Sequence, residues 1–326
     1  SVIKTYKHDA LQRIRHQDLG LIGDLSHEIM DELVTDIRNG KYRPNTVLPS
    51  EKEICKRFNV SRGSVRNALK AMQDDFTEWA EESRKHSEPY GETVDGRPRF
   101  DMDPEHTAEN PTLRRVSAPV EMSKAYYDVM ATSKMTDCVA DLIGPNVKFH
   151  HSKINAKLPG GTTAVKWHQD FPFTPHSNDD LITALLMIDE VTLENGPLEV
   201  LSGSHTGKIH SLWHNGIFTG AVDDEVAEAS QKQALTCAGP AGSVCLMHTR
   251  LLHGSAPNLS NHPRKLFICV YSAEDAIPMS SNPVPTEYEG LIVSGEKTNK
   301  VRSTSYEIEL PQKPKTASFF DQQAMN

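Results

Sequence analysis

Residues 165–175 read Val165-Lys166-Trp167-His168-Gln169-Asp170-Phe171-Pro172-Phe173-Thr174-Pro175. In extended chain, residues i and i+2 point the same way, so His168 and Asp170 present an imidazole and a carboxylate to one point in space. An imidazole and a carboxylate at this spacing suit a labile divalent metal. With a second histidine they form a facial triad that leaves three octahedral positions open, the ligand set of non-haem iron oxygenases. An isolated His-x-Asp is weak evidence, so the surroundings decide.

Outward from this stretch, apolar runs of strand length alternate with Gly, Pro, Asn and Asp. They are Val147–Leu158, Thr162–Trp167, Leu181–Ile188, Leu198–Leu201, Ser243–Met247 and Lys265–Ser272. Many short strands with turn punctuation predict a sandwich or barrel. Glu121–Leu142 reads as one helix packed outside the sheet, and Ser305–Leu310 as a strand in a proline-containing tail that covers the barrel mouth. His248, five residues before His253, is an alternative ligand or a buried neighbour of the site. His150, His151, His176 and His262 read as structural strand or loop residues, and so does His205 in Ser202-Gly203-Ser204-His205. Trp213, His214 and Phe218 fall in a long insertion between Gly207 and Thr236 and are candidates to line a substrate pocket. Trp167 reads as a core anchor beside the metal.

Three segments carry a resemblance: "VKWHQDFPFTP", then "LLMIDEVTLENGPLEVLSGSH", then "GSVCLMHTRLLHGSAPNLSNHPRKLFICVYS". In this order and spacing they resemble the phytanoyl-CoA dioxygenase (PhyH) family, from about residue 74 to the C-terminus. The resemblance implies a double-stranded β-helix, or jelly roll, with flanking helices. It implies iron(II), 2-oxoglutarate and dioxygen, and hydroxylation of a small organic substrate with release of succinate and CO2. It makes His253, in His253-Gly254-Ser255, the third ligand beside His168 and Asp170. It also places 2-oxoglutarate on Arg264, eleven residues after His253, with Ser255 and Lys157 beside it. Related halogenases carry a small residue at the position of Asp170, so a carboxylate there implies hydroxylation. Members of the family usually begin with a strand that completes one barrel sheet. No such strand is evident here, so either another segment replaces it or the barrel has an open edge.

The N-terminal part has a different texture. Leu21, Leu25, Ile29, Leu33 and Ile37 recur every four residues, the stripe of an amphipathic helix. Ser50-Glu51-Lys52-Glu53 reads as a capping box opening a second helix, and Ser61 caps a third. The segment "IRNGKYRPNTVLPSEKEICKRFNVSRGSVRNALKAM" (37–72) resembles the helix-turn-helix of GntR-family bacterial repressors over about residues 20–72. The resemblance implies DNA contacts by Lys52, Arg62, Ser64 and Arg66. That family continues into a Gly-rich basic wing. Here Met72 is followed by an acidic run with Asp74, Asp75, Glu78, Glu81 and Glu82, which reads as more helix and repels phosphate. Val65, Leu69, Met72 and Phe76 keep helical spacing across the join. The predicted organisation is a small all-α helix-turn-helix module over 1–73 and a mostly β oxygenase domain over 74–326.

Composition fits this division. The net charge of −9 over 326 residues is uneven. Residues 1–73 hold 13 Lys/Arg against 9 Asp/Glu, so the remainder carries −13. Five cysteines, odd in number and with no Cys-x-x-Cys, predict reduced thiols and a cytoplasmic location. No apolar run approaches the roughly 18 residues a membrane span needs, and the polar N-terminus has no secretory h-region. Two functions compete. One is a 2-oxoglutarate-dependent hydroxylase; the other is a DNA-binding regulator whose dioxygenase-like domain senses a metabolite. An intact triad favours the first, and an intact wing favours the second.

Overall fold

The apolar runs of the sequence become strands of two sheets in the computed structural model, which describes residues 63–88, 90–92, 96–312 and 319–323. The chain separates into two compact units, 1–66 and 67–326. Of the first, only residues 63–66 are described, so the expected contacts of Lys52 and Arg62 lie outside the described residues, as does the side chain of Ser64. Arg66 is exposed on helix α1 (Gly63–Ser83).

The second unit is mostly β. Strands β4 (Val147–Lys157), β13 (Arg264–Ala273), β6 (Leu181–Met187) and β11 (Val244–His248) lie side by side in one sheet. The other sheet runs β10 (Leu235–Cys237), β7 (Leu198–Val200), β12 (His253–Ser255), β5 (Val165–His168). Pairing is antiparallel throughout, and the chain passes repeatedly between the two sheets. This is jelly-roll topology. Leu185, Met187, Leu266, Ile268 and Met247 from the first sheet pack with Leu198 and Val200 from the second in one buried cluster. Period-2 alternation thus turns one face of each strand into a shared interior.

The edge of β4 is not open. Strands β1 (Tyr90–Glu92), β2 (Pro98–Met102) and β3 (Leu113–Ser117) extend the larger sheet, with Val116 opposite Ile154. Strand β14 (Ile292–Ser294) pairs with the other end of β4. These strands are three to five residues long, and β3 carries two adjacent arginines, so no apolar run announced them. At the far edge of the smaller sheet, Gln323 of the short helix α5 (Phe319–Gln323) accepts a 2.9 Å hydrogen bond from the Lys166 backbone N–H.

The segment 121–142 is two helices rather than one: α2 (Lys124–Thr132) and α3 (Lys134–Ile143). Ser133 is extended between them, and its hydroxyl accepts from Met135 N–H as the N-cap of α3. That local hydrogen bond competes with continuation of the first helix. Ser305–Leu310 is not a strand. It lies without regular structure while Tyr306 and Ile308 pack on Phe171, Leu181 and Val270, so side-chain packing replaces a ladder.

The acidic run after Met72 is helix, as its spacing predicts, and α1 is tied into the oxygenase core. Met72, Phe76 and Trp79 are buried there, and Trp79 lies 5.5 Å from Tyr126 between ring centroids. The Tyr126 hydroxyl donates to the Met72 carbonyl at 2.8 Å. Gln73 donates to the Ile188 carbonyl and to Asp189. Asp74, Glu78 and Glu81 of the run are exposed, while Asp75 is half-buried and accepts from the Ser123 hydroxyl.

Candidate metal and co-substrate site

The pairing of β12 with β5 sets His253 directly across from His168. Their ring centroids are 4.1 Å apart. Asp170 follows β5 at a bend into a 3-10 turn (Phe171–Phe173), which returns its carboxylate towards both rings. Asp170 Oδ1 is 3.5 Å from His168 Nε2 and 3.7 Å from His253 Nε2. One ligand atom from each of the three residues falls within 4.8 Å of the others, and this is the sole such group among the described residues. His248 is not in it. Its Nδ1 accepts from Arg250 N–H, and its ring faces that of His205.

The donor set fits a divalent metal in its details. His168 Nδ1 donates to the Lys166 carbonyl at 2.8 Å, and His253 Nδ1 to the Leu251 carbonyl at 2.9 Å. Each bond fixes the tautomer that leaves Nε2 with a lone pair for an ion. Burial, then the neighbouring His168, pushes the His253 imidazole down to about 4, keeping it neutral. Burial works to raise the Asp170 carboxyl. The facing histidines in their protonated, metal-free form, His253 first, and Lys153 outweigh it and hold Asp170 well below the usual carboxylate range. The Thr183 hydroxyl donates to Asp170 Oδ2 at 2.7 Å, so the other oxygen stays turned to the histidines. No sequence signal marked Thr183; the packing of one sheet over the other brings β6 under Asp170.

Behind the triad is a small chamber of about 50 Å³ lined by Lys157, Ser255, Arg264 and apolar residues including Leu185, Met247 and Leu266. Arg264 and Lys157 face each other across the β4–β13 ladder. Lys157 Nζ donates to Ser255 Oγ at 2.7 Å and to the Ala256 carbonyl. Arg264 is 2% exposed and among the described residues bonds only the Gly196 carbonyl, through Nε at 3.1 Å and Nη2 at 2.7 Å. Burial pushes Lys157 down to about 6, with Arg264 adding to it, and burial pushes Arg264 down to about 10. A buried guanidinium and a buried amine, neither with an ion-pair partner among the described residues, fit the carboxylate of a bound acid, whose charge would favour the protonated amine. Gly196 was also missed by the sequence reading. Its φ is +75°, and a Cβ there would meet Ala256 O and Lys157 Cδ at 2.7 Å. Only glycine brings this carbonyl under the guanidinium.

In front of the triad a second cavity of about 420 Å³ opens. Lys153, Asp170 and Phe319 line both spaces, so the two meet at the triad. Phe173 and Phe319 flank His168 at 5.8 and 5.6 Å between centroids. The tail therefore reaches the mouth, as expected, through α5 rather than through 305–310. Trp213, His214 and Phe218 do not line the cavity. Phe218 packs behind Phe173 at 5.3 Å and Trp213 behind Phe218 at 5.4 Å. His214 bonds the Ala221 carbonyl. Trp167 is buried with Leu212 and Phe218 and donates to Gln231 at 3.0 Å, an anchor beside the triad as the sequence suggested. His150, His151 and His176 gather into one buried cluster, with His151 at the cavity wall.

Comparison with known proteins agrees with this geometry. The model of the phytanoyl-CoA dioxygenase (PhyH) family matches residues 60–266, and that of bacterial regulatory proteins, gntR family, matches residues 25–75. A probable alpha-ketoglutarate-dependent hypophosphite dioxygenase of Stutzerimonas stutzeri is 38% identical over 205 residues, 61% of this chain and 71% of that one. L-proline trans-4-hydroxylase of Streptomyces griseoviridis is 30% identical over 151 residues, 40% of this chain and 56% of that one. The crystal structure of EctD from S. alaskensis with bound Fe superposes with a TM-score of 0.57 at 21% identity, covering 73% of this chain and 80% of that one, and shows the shared fold. The chain thus belongs to the phytanoyl-CoA dioxygenase (PhyH) family and is a 2-oxoglutarate-dependent oxygenase that uses Fe(II).

Proposed function

We propose that the chain hydroxylates a small organic substrate with consumption of 2-oxoglutarate and dioxygen and release of succinate and CO2. His168, Asp170 and His253 would hold the iron, and Arg264, Lys157 and Ser255 the co-substrate. The observation that carries this reading is the convergence of the three ligand atoms at the junction of two chambers, the inner one ending in Arg264 and Lys157, which have no ion-pair partner among the described residues. When bound, iron(II) supplies dioxygen activation coupled to oxidative decarboxylation of the 2-oxo acid.

The chain's own residues do the rest. The backbone carbonyls of Lys166 and Leu251 orient the two imidazoles, and Thr183 orients Asp170. Arg264 neutralises the far carboxylate of the 2-oxo acid as a planar fork, with Lys157 and Ser255 beside it. Leu185, Met247 and Leu266 keep water from the inner chamber. Phe173 and Phe319 restrict how a substrate approaches, holding its reacting bond towards the triad. The test is an anaerobic titration with Fe(II) and 2-oxoglutarate, followed by admission of oxygen. Succinate should form with oxygen and iron present and fall to background without either.

The gntR match over residues 25–75 supports a second activity, DNA binding through Lys52, Arg62, Ser64 and Arg66. On this reading the N-terminal unit is a helix-turn-helix whose wing is replaced by the acidic part of α1. The burial of Met72, Phe76 and Trp79 favours a module boundary near residue 67, ahead of the position 74 suggested by the acidic run.

A further inference from the structure

The cavity in front of the triad contains a charge that the mechanism above leaves unused. Arg115 lies on β3, opposite Asn155 of β4, and is 7% exposed. Its side chain lines the cavity, yet its Nε and Nη1 have no hydrogen-bond partner among the described residues. The adjacent Arg114 points the other way and pairs with Asp101 at 2.8 Å, and Arg99 pairs with Glu121. Asn155 Oδ1, the acceptor across the ladder, is equally unpartnered, but it carries no charge to offset the guanidinium.

Lys153 lies beside Arg115. It sits on β4 one alternation before Asn155, and its Nζ is 5.7 Å from the Phe319 ring centroid. Arg115 Cζ is 5.9 Å from the same centroid. The two cations therefore flank one phenyl ring at the junction of the chambers. Water would satisfy the donors of Arg115 and leave its charge uncompensated, which is unfavourable in a buried site.

We infer that the substrate of this oxygenase is a small organic oxyanion, its anionic head held by Arg115 and Lys153 in the cavity in front of the triad. This rests on the oxygenase reading above. A guanidinium fork beside an ammonium matches two or three oxygens of a carboxylate, sulfonate or phosphonate. About 420 Å³ is more than such a head needs, and Phe173, Val270, Val284 and Phe319 line it. That apolar wall fits a carbon body, whose reacting bond then faces Asp170 and the histidines. Arg264 and Lys157 serve the co-substrate and Arg115 and Lys153 the substrate, so one buried arginine–lysine pair stands on each side of the triad.

The test uses the full chain loaded anaerobically with Fe(II) and 2-oxoglutarate. Calorimetric titrations with methylphosphonate, methanesulfonate, propionate and uncharged propionamide compare the wild type with Arg115→Met and Arg115→Lys. The three anions should bind saturably and the amide should not; the rank among the anions names the head group. Arg115→Met should weaken the anions by at least about thirtyfold, the effect of removing one partner of a buried charge pair. Arg115→Lys should recover part of it. The affinity of each variant for 2-oxoglutarate, read from the metal-to-co-substrate charge-transfer band, should stay within about twofold and shows that the variants fold. The inference is overturned if propionamide binds as tightly as the anions, if no anion saturates the wild type, or if Arg115→Met leaves anion affinity unchanged. Absence of the charge-transfer band in the wild type would instead sink the oxygenase reading, while anion titration of the metal-free chain still reads Arg115.

Discussion

Asp170 shows how much one residue is asked to do. It is bonded by Thr183 on one oxygen and faced by two imidazoles on the other. Asp170→Ala removes the one anionic donor of the proposed three-ligand set. The expected outcome is loss of stoichiometric Fe(II) binding and of succinate formation, with circular dichroism unchanged. Full turnover by this variant would falsify the triad. Arg264 makes a separable prediction because it touches no ligand. A buried carboxylate without its guanidinium loses about 2–5 kcal/mol, or roughly 30- to 3,000-fold in affinity. Arg264→Ala should therefore raise the apparent constant for 2-oxoglutarate by that factor and leave the iron constant nearly unaltered. Equal changes in both constants would show that the residue props up the barrel instead.

At the scale of elements, α1 and the histidine cluster each link local sequence to the stability of the oxygenase. Phe76 is 5% exposed on α1, and its ring lies 5.6 Å from Lys265 Nζ. Truncation of a buried Phe costs about 3–5 kcal/mol. Phe76→Ala should lower the urea midpoint accordingly although it lines neither chamber; an unchanged midpoint would mean that α1 is only an appendage. The cluster on β4 and the loop after β5 predicts a pH dependence. Burial pushes His150 down to about 3 and His176 to about 4, and drives His151 well below its usual value. Lys148 and neighbouring histidines add to this, while Glu289 stands 3.8 Å from His150. These groups stay neutral when folded and take up protons near pH 6.5 when unfolded. The unfolded state then binds more protons, so stability is full above about pH 6.5 and falls as pH drops towards the folded values. In chelator-treated protein, His176→Asn should show a smaller loss of urea midpoint between pH 7.5 and pH 5 than the wild type. Identical losses would assign the acid sensitivity elsewhere.

The whole molecule joins a basic N-terminal segment to an acidic remainder, +4 against −13 by the counts above. On the proposed second reading, eight Lys/Arg between Lys41 and Met72 would neutralise some phosphates, while helix α1 continues where the resemblance implies a basic wing. DNA binding should be weak and strongly salt-dependent, because counterion release supplies nearly all of it. Fluorescence anisotropy between 50 and 200 mM salt, roughly the range over which such contacts are lost, reads this directly. Tight, sequence-selective binding at the upper end would promote the regulator reading. Among the described residues no helix is long and apolar enough to cross a membrane.

The sequence by itself determined what is local or periodic. The His168-x-Asp170 spacing needs only an extended chain to align its two donors. Alternation in Val147–Leu158, Leu181–Ile188 and Lys265–Ser272 marks strands with one face inward, and four-residue spacing carries α1 through Met72 and Phe76. The order of three segments sufficed to nominate His253 and Arg264 at a distance. Tertiary structure decided what depends on register and on partners remote in sequence. His253 meets His168 through the β5–β12 ladder, and Thr183 reaches Asp170 from a different sheet. Arg114 and Arg115 read alike in the sequence. Strand pleat turns the first to Asp101 and the second into the cavity, where its Nε and Nη1 meet no acceptor among the described residues. Ser133 breaks a helix that periodicity alone would continue, because its hydroxyl offers the backbone a competing hydrogen bond. Short strands such as β1–β3 form for the same reason that they were invisible. Their pairing energy comes from the neighbouring strand, β3 on β4, β2 on β3 and β1 on β2, and a three- to five-residue segment has too little period of its own to show it.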